Sequence, residues 1–151
     1  MKIVLQRVKQ SSIDVNGKKI AFIGKGFLVL VGIEKGDTIT TIEEAARKIS
    51  KLRIFEDDNG KMNLDIRQAS GAILSVSQFT LLGDASKGNR PGFDSAEIPE
   101  KAEELWNKFN DAIEGLGIPL KKGVFGAHME VNIINDGPVT FILDPRSRVA
   151  K

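Results

Sequence analysis

The sequence predicts a mixed α/β fold, one domain over residues 1–151, with a strongly curved, barrel-like β-sheet flanked by two helices. Three observations carry this. Residues 27–33, Phe-Leu-Val-Leu-Val-Gly-Ile, are a continuous apolar run bounded by glycines, the pattern of a strand buried on both faces. Two other stretches repeat apolar residues at three- and four-residue spacing, as amphipathic helices do. The order along the chain is strands, helix, strands, helix, strands.

Residues 2–8 read as a strand with Ile3, Leu5 and Arg7 on one face. A second strand over 11–15 leads to Asn16-Gly17, a strong type I′ hairpin signal, and 18–23 form the return strand. The first helix follows from Ile39, Ile42, Ala45, Ala46, Ile49 and Leu52. Thr41 with Glu44 fits a capping box and Asp37 is an alternative cap, while Arg47, Lys48 and Lys51 fall where they suit the helix dipole. Residues 53–56 form a short strand, and Asp57-Asp58-Asn59-Gly60 a structural turn that lacks the ligand order of a calcium loop. Residues 62–66 lead on to a long strand-like run over 72–82. A loop over 83–93 precedes the second helix, which has Pro99 in its first turn and Ala102, Leu105, Trp106, Phe109, Ala112, Ile113 and Leu116 on its apolar face. Gly115, Gly117 and Pro119 end it. Strands over 125–134 and 139–143 close the domain.

Composition narrows the chemistry. There are 151 residues, 41% hydrophobic, enough to bury a core without covalent staples. The chain has no cysteine, which excludes disulfides, thiolate catalysis and Cys-based zinc sites. No signal peptide is legible and no apolar run approaches the ~20 residues of a membrane helix, so the expectation is a soluble, cytoplasmic protein with no membrane partner. The net charge of +2 permits a nucleic-acid partner without demanding one. Two basic clusters stand out, Lys87-Gly88-Asn89-Arg90 and Arg146-Ser147-Arg148 with Lys151, the second read as a solvated tail. A single histidine, His128, makes neither a metal site nor a conventional triad, and is expected on a surface strand. Walker, Gly-x-Gly-x-x-Gly and Gly-x-Ser-x-Gly patterns are missing, so no metal or cofactor is expected. An enzyme built from this sequence works through hydroxyls, amides and backbone groups.

Two stretches offer that equipment. In Ser77-Gln78-Phe79-Thr80, a strand would point Ser77 and Phe79 one way and Gln78 and Thr80 the other, with backbone N–H groups at its end available to an oxyanion. In Asn135-Asp136-Gly137-Pro138, a turn separates two apolar runs, and Pro138 has no N–H to give a ladder. Taken alone, the first is an ordinary strand end and the second a turn with proline opening an edge strand.

Taken together, in this order, they resemble the D-aminoacyl-tRNA deacylases (D-tyrosyl-tRNA deacylases). The resemblance spans almost the whole chain and includes Gln6-Arg7-Val8, Gly32-Ile33, Arg53-Ile54-Phe55, Gly60-Lys61-Met62-Asn63, Arg90-Pro91 and Asn135 through Phe141. It implies hydrolysis of the ester joining a D-amino acid to the 3′ end of tRNA by a homodimer. Ser77, Gln78, Phe79 and Thr80 would form the catalytic floor, and Phe125 and Met129 would lie by the terminal adenosine. Gly137-Pro138, with a cis bond, would enter the partner's site as a chirality filter braced by Arg7. The residues suit that role. Close backbone atoms at Gly137-Pro138 would exclude L side chains without gripping D ones, so tRNA charged with glycine is an expected substrate too. Lys87 and Arg90 are expected to contact tRNA phosphates. Since the ester is already activated, the terminal 2′-OH can help activate water while the protein supplies position and an oxyanion hole. Three alternatives remain open at this point: Thr80 as a nucleophile, a small-molecule D-amino acid esterase, and a non-enzymatic RNA-binding module. The last would want exposed aromatics beside a basic stripe, whereas aromatics are 6% of the chain and mostly at apolar periodic positions.

Overall fold

A computed structural model describes residues 1–148. Strand β1 (Lys2–Val15) is one uninterrupted strand where the sequence suggested two, because it is paired along its whole length. Its first half pairs antiparallel with β3 (Gly26–Gly32), and its second half with β2 (Lys18–Ile23) across the Asn16-Gly17 turn. Helix α1 (Ile39–Lys51) follows, then β4 (Phe55–Glu56) and β5 (Met62–Leu64), which form a small separate ribbon. Strand β6 (Ala72–Ser77) pairs parallel with β3. After helix α2 (Pro99–Gly115), the short β7 (Leu120–Lys122), not foreseen from the sequence, pairs parallel with β6. The last strand, β8 (Glu130–Leu143), runs antiparallel along the other edge of β1. The sheet curves until β2 approaches β6 and β7, giving the barrel-like form.

Alternation along β3 explains its apolar run. Phe27, Val29 and Val31 face one core with Ile42, Ile49, Trp106, Phe109 and Ile113 of the two helices. Leu28 and Leu30 face a second core inside the curved sheet with Val8, Ile13, Ile23, Leu74 and Val76. Each such aliphatic side chain, fully buried, contributes about 1.5–3 kcal/mol of transfer free energy. The cap of α1 differs from expectation. Thr38 is the N-cap and exchanges hydrogen bonds with Thr41, because Asp37 is occupied elsewhere.

Asp37 and Glu34 bind the N-terminal ammonium of Met1 at 2.8 and 3.0 Å, with Asp37 and Met1 buried. Arg146 joins them, pairing with both carboxylates and donating to the Lys35 carbonyl. The basic cluster at 146–148 is therefore not simply a solvated tail at Arg146; Lys151 lies outside the described residues. Burial of Glu34 acts to raise its pKa, but Arg146 and the ammonium together hold the carboxyl below its ordinary value.

Candidate active site

Strand β6 ends where its ladder ends, at the pairing of Ser77 with Val31. Gln78 donates its N–H to the Val31 carbonyl, and the chain then tightens into a 3-10 turn over Phe79–Leu82. This corrects the long strand read over 72–82. Apolar character continued past Ser77, but the partner strand did not. The side chains of Ser77, Gln78, Phe79 and Thr80 consequently do not alternate between two faces. All four line one cleft of about 680 Å³.

The opposite wall comes from the turn between β7 and β8. Phe125, Gly126, Ala127, His128 and Met129 all line the cleft, which brings Phe125 and Met129 together with Ser77, Gln78, Phe79 and Thr80. The strand read over 125–134 begins only at Glu130. His128 is thus an exposed turn residue at the cleft, not a surface strand residue. Trp106 of α2 ties the walls together. Its indole N–H donates to the buried Ser75 hydroxyl at 3.0 Å, two residues before Ser77, and its ring lies 6.0 Å from that of Phe125.

Sequence reasoning missed Phe93, Ala96, Glu97, His128 and Val131 as lining residues. Phe93, Ala96 and Glu97 lie in a segment with no periodic signal, and His128 and Val131 lie in one read as a strand; only the chain's return through α2 brings the latter to β6. Among the lining residues, Glu97 and His128 are the titratable ones. The Glu97 carboxyl is held below its ordinary range first by the Ile98 N–H and then by Lys101. The Thr80 hydroxyl accepts from the Gln78 side-chain amide at 2.6 Å, and an amide cannot take its proton.

Gly137 and Pro138 are not among the lining residues. Nor do they cap a hairpin. Both flanks of the motif pair with the same strand, Asn135 opposite Val8 and Thr140 opposite Gln6, so Asp136 to Val139 bulge out of β8 against Arg7 alone. The Gly137-Pro138 bond is cis, and both residues are exposed. The bulge is stitched at its base. Asn135 accepts from the Val139 N–H through Oδ1 and donates to the Thr140 hydroxyl through Nδ2. Beneath it the buried Arg7 donates to the carbonyls of Asp136, at 3.1 Å, and Ile54, at 2.7 Å. Gly137 has φ +129°, and a Cβ there would meet Val139 Cγ2 at 2.7 Å and Arg7 Nη2 at 3.2 Å. Along β8, Gly137 is six residues beyond Val131 of the cleft, on the order of 15–20 Å of extended chain. Lys87 and Arg90 are exposed on the loop before Phe93 and do not line the cleft either.

A protein-family model described as D-Tyr-tRNA(Tyr) deacylase matches residues 4–144. The chain is 52% identical over 148 residues to the D-aminoacyl-tRNA deacylase of Geobacter sulfurreducens, covering 98% of this chain and 97% of that protein. It is 51% identical over 144 residues to the D-aminoacyl-tRNA deacylase of Lactobacillus acidophilus, covering 95% and 99%. Among solved structures, a c-Myc DNA unwinding element binding protein superposes with a TM-score of 0.91 at 44% identity, covering 95% of this chain and 98% of that one. A probable eukaryotic D-amino acid tRNA deacylase shares the fold, with a TM-score of 0.79 at 18% identity, covering 94% and 97%.

Proposed function

The chain belongs to the D-Tyr-tRNA(Tyr) deacylase family, and from that premise we propose that it hydrolyses the ester of D-aminoacyl-tRNA in a site shared between two copies of the chain. The observation that carries the shared site is a separation. Ser77, Gln78, Phe79, Thr80, Phe125 and Met129 gather at one cleft, while Gly137-Pro138 stands exposed and braced elsewhere, on β8. A two-fold axis supplies each cleft with the other chain's loop.

In this reading the terminal adenosine lies against Phe125 and Met129, and the aminoacyl ester against the 3-10 turn. A 3-10 turn leaves its first N–H groups without partners inside it, so Phe79 and Thr80 bring backbone donors to the developing oxyanion. The ribose 2′-OH assists the attacking water. Thr80 serves as a wall, since its hydroxyl is engaged with an amide and not a base. Lys87 and Arg90 meet phosphates beside the cleft. The partner's Gly137-Pro138 backbone approaches Cα of the substrate and excludes an L side chain by contact, leaving D side chains of any size free. Glycine has no side chain to exclude, so glycyl-tRNA is hydrolysed as well. Cytoplasmic location follows from the substrate.

The test is a panel of D-alanyl-, L-alanyl-, D-tyrosyl-, L-tyrosyl- and glycyl-tRNA at equal enzyme concentration. Both D-forms and the glycyl form are expected to turn over, with L-forms essentially inert. Rejection of glycyl-tRNA as firm as that of L-alanyl-tRNA would sink steric exclusion. Gly137→Ala is expected to lose D-activity without gaining L-activity, because the added methyl collides with Val139 and Arg7. The same panel on tRNA ending in 2′-deoxyadenosine checks the 2′-OH, whose removal should cost far more than Thr80→Ala.

A further inference from the structure

Two phenylalanine rings at the cleft are left in water. Phe79 is 57% exposed and Phe93 37% exposed, although the fold has two cores available and buries Phe27, Phe55 and Phe109 in one of them. The two rings touch each other edge to face, with centroids 5.0 Å apart and planes at 64°. Both line the same cleft. The sequence-based objection to nucleic-acid binding, that the aromatics sit at apolar periodic positions, fails at these two.

The pair is held from behind. Phe79 opens the 3-10 turn whose Leu82 is buried, so the turn is anchored and the ring projects. Phe93 is packed against Gly83, where a Cβ would lie 3.2 Å from its Cε1. Reciprocal hydrogen bonds of 2.8 Å between Asp84 and Gly92 close the loop that carries it. That loop displays Lys87 and Arg90, both exposed, and among the described residues no ion pair is made by either. An open ring face beside unpaired cations is the arrangement that binds single-stranded nucleic acid, since every base has a π-face to stack and a phosphate next to it. An edge-to-face pair offers one open face of useful size, enough for one base.

We propose that Phe79 and Phe93 form a stacking platform for the base of the nucleotide preceding the terminal adenosine of the charged RNA. The proposal rests on the deacylase reading for the identity of the RNA end, and adds to it a second nucleotide subsite. The terminal nucleoside occupies the Phe125–Met129 wall, the preceding base stacks across the cleft on the Phe79–Phe93 pair, and the phosphate linking it onward faces the Lys87–Arg90 loop.

Equilibrium binding of two uncharged ligands, adenosine and the dinucleotide cytidylyl-(3′→5′)-adenosine, reads the platform without turnover. The quantity of interest is the gain in affinity from the added nucleotide. Base–aromatic stacking contributes about 1–3 kcal/mol per base, so the wild-type gain should be about tenfold or more. Phe93→Leu keeps an apolar side chain but removes the ring, and should reduce that gain about tenfold. Phe93→Trp restores a ring and should keep it. A gain that is absent in the wild type, or that survives Phe93→Leu, overturns the platform. So does a Phe93→Leu loss equal for both ligands, which would place the ring against the terminal nucleoside or in the support of the fold. The two readings fail separately. A chain that hydrolyses D-aminoacyl esters with no Phe93-dependent gain overturns the platform alone. One that shows the gain but hydrolyses no D-aminoacyl-tRNA overturns the deacylase reading and leaves the platform standing.

Discussion

Arg7 and Arg146 each reach a segment more than a hundred residues away, the first 129 positions along the chain and the second 111. They do it with opposite electrostatics. Arg7 is 5% exposed and donates to neutral backbone carbonyls, with the carboxylates of Asp136 and Glu56 only at 3.7 and 3.9 Å. Arg146 is a third exposed and binds two carboxylates directly. A cation satisfied by carbonyls fixes where the backbone goes. A cation satisfied by carboxylates stores its free energy in charge, and that energy depends on pH and salt. The first arrangement braces the loop proposed as the chirality filter; the second joins the ends of the described chain.

The largest expected effect tests the carbonyl-held cation. Arg7→Met removes two charge-assisted hydrogen bonds in a buried place and should cost about 3 kcal/mol, read as a lower midpoint in urea. Hydrolysis of D-aminoacyl-tRNA should fall further than the folded fraction does, because the loop loses its brace. An Arg7→Met protein with full activity would break the comparison. Next comes Arg146→Gln, with an expected cost of about 1 kcal/mol at low salt that shrinks in 1 M sodium chloride. The pH dependence has a definite sign. Glu34 has its folded pKa depressed below the ordinary carboxyl value of 4.5, so its contribution is complete above that pH and is lost as pH falls through the folded pKa. Arg146→Gln should therefore flatten the acid limb of the stability profile, while Arg7→Met leaves its shape unaltered. The smallest effect is expected at Thr38→Ala, which removes the cap of α1 next to Asp37. The hydrogen bond that its hydroxyl accepts from the Thr41 N–H is long, 3.3 Å, so about 0.5 kcal/mol is expected, insensitive to salt. A larger, salt-dependent loss would show that the cap and the ionic cluster act as one unit.

Much of this was legible in the sequence because periodicity reports burial. The two helices, the doubly buried β3 and the Asn16-Gly17 turn follow from patterns a few residues long. The misreadings share a cause. Whether β6 stops at Ser77 depends on where β3 stops, and whether Asp136 to Val139 form a hairpin or a bulge depends on which strand pairs with the flanks. Neither is a local property. The same holds for Phe93 and His128, which only tertiary folding brings to the cleft. Arg146 looked like a tail residue because its partners, Glu34 and Asp37, lie more than a hundred positions upstream.

Strand β8 begins at Glu130, beside the cleft that its Val131 lines, and carries the Gly137-Pro138 bulge further on. In the proposed dimer every chain therefore serves two sites with different parts of one strand. The genetic meaning is complementation. A chain with a ruined cleft still lends its loop, and a chain with a ruined loop still lends its cleft, so each is dead only when paired with its own kind. A mixed pair assembles one site from two sound halves and one from two broken halves. With random exchange about half of the dimers are mixed. Two inactive preparations combined would then regain roughly a quarter of the wild-type sites. Alleles of this gene would not behave as simple nulls.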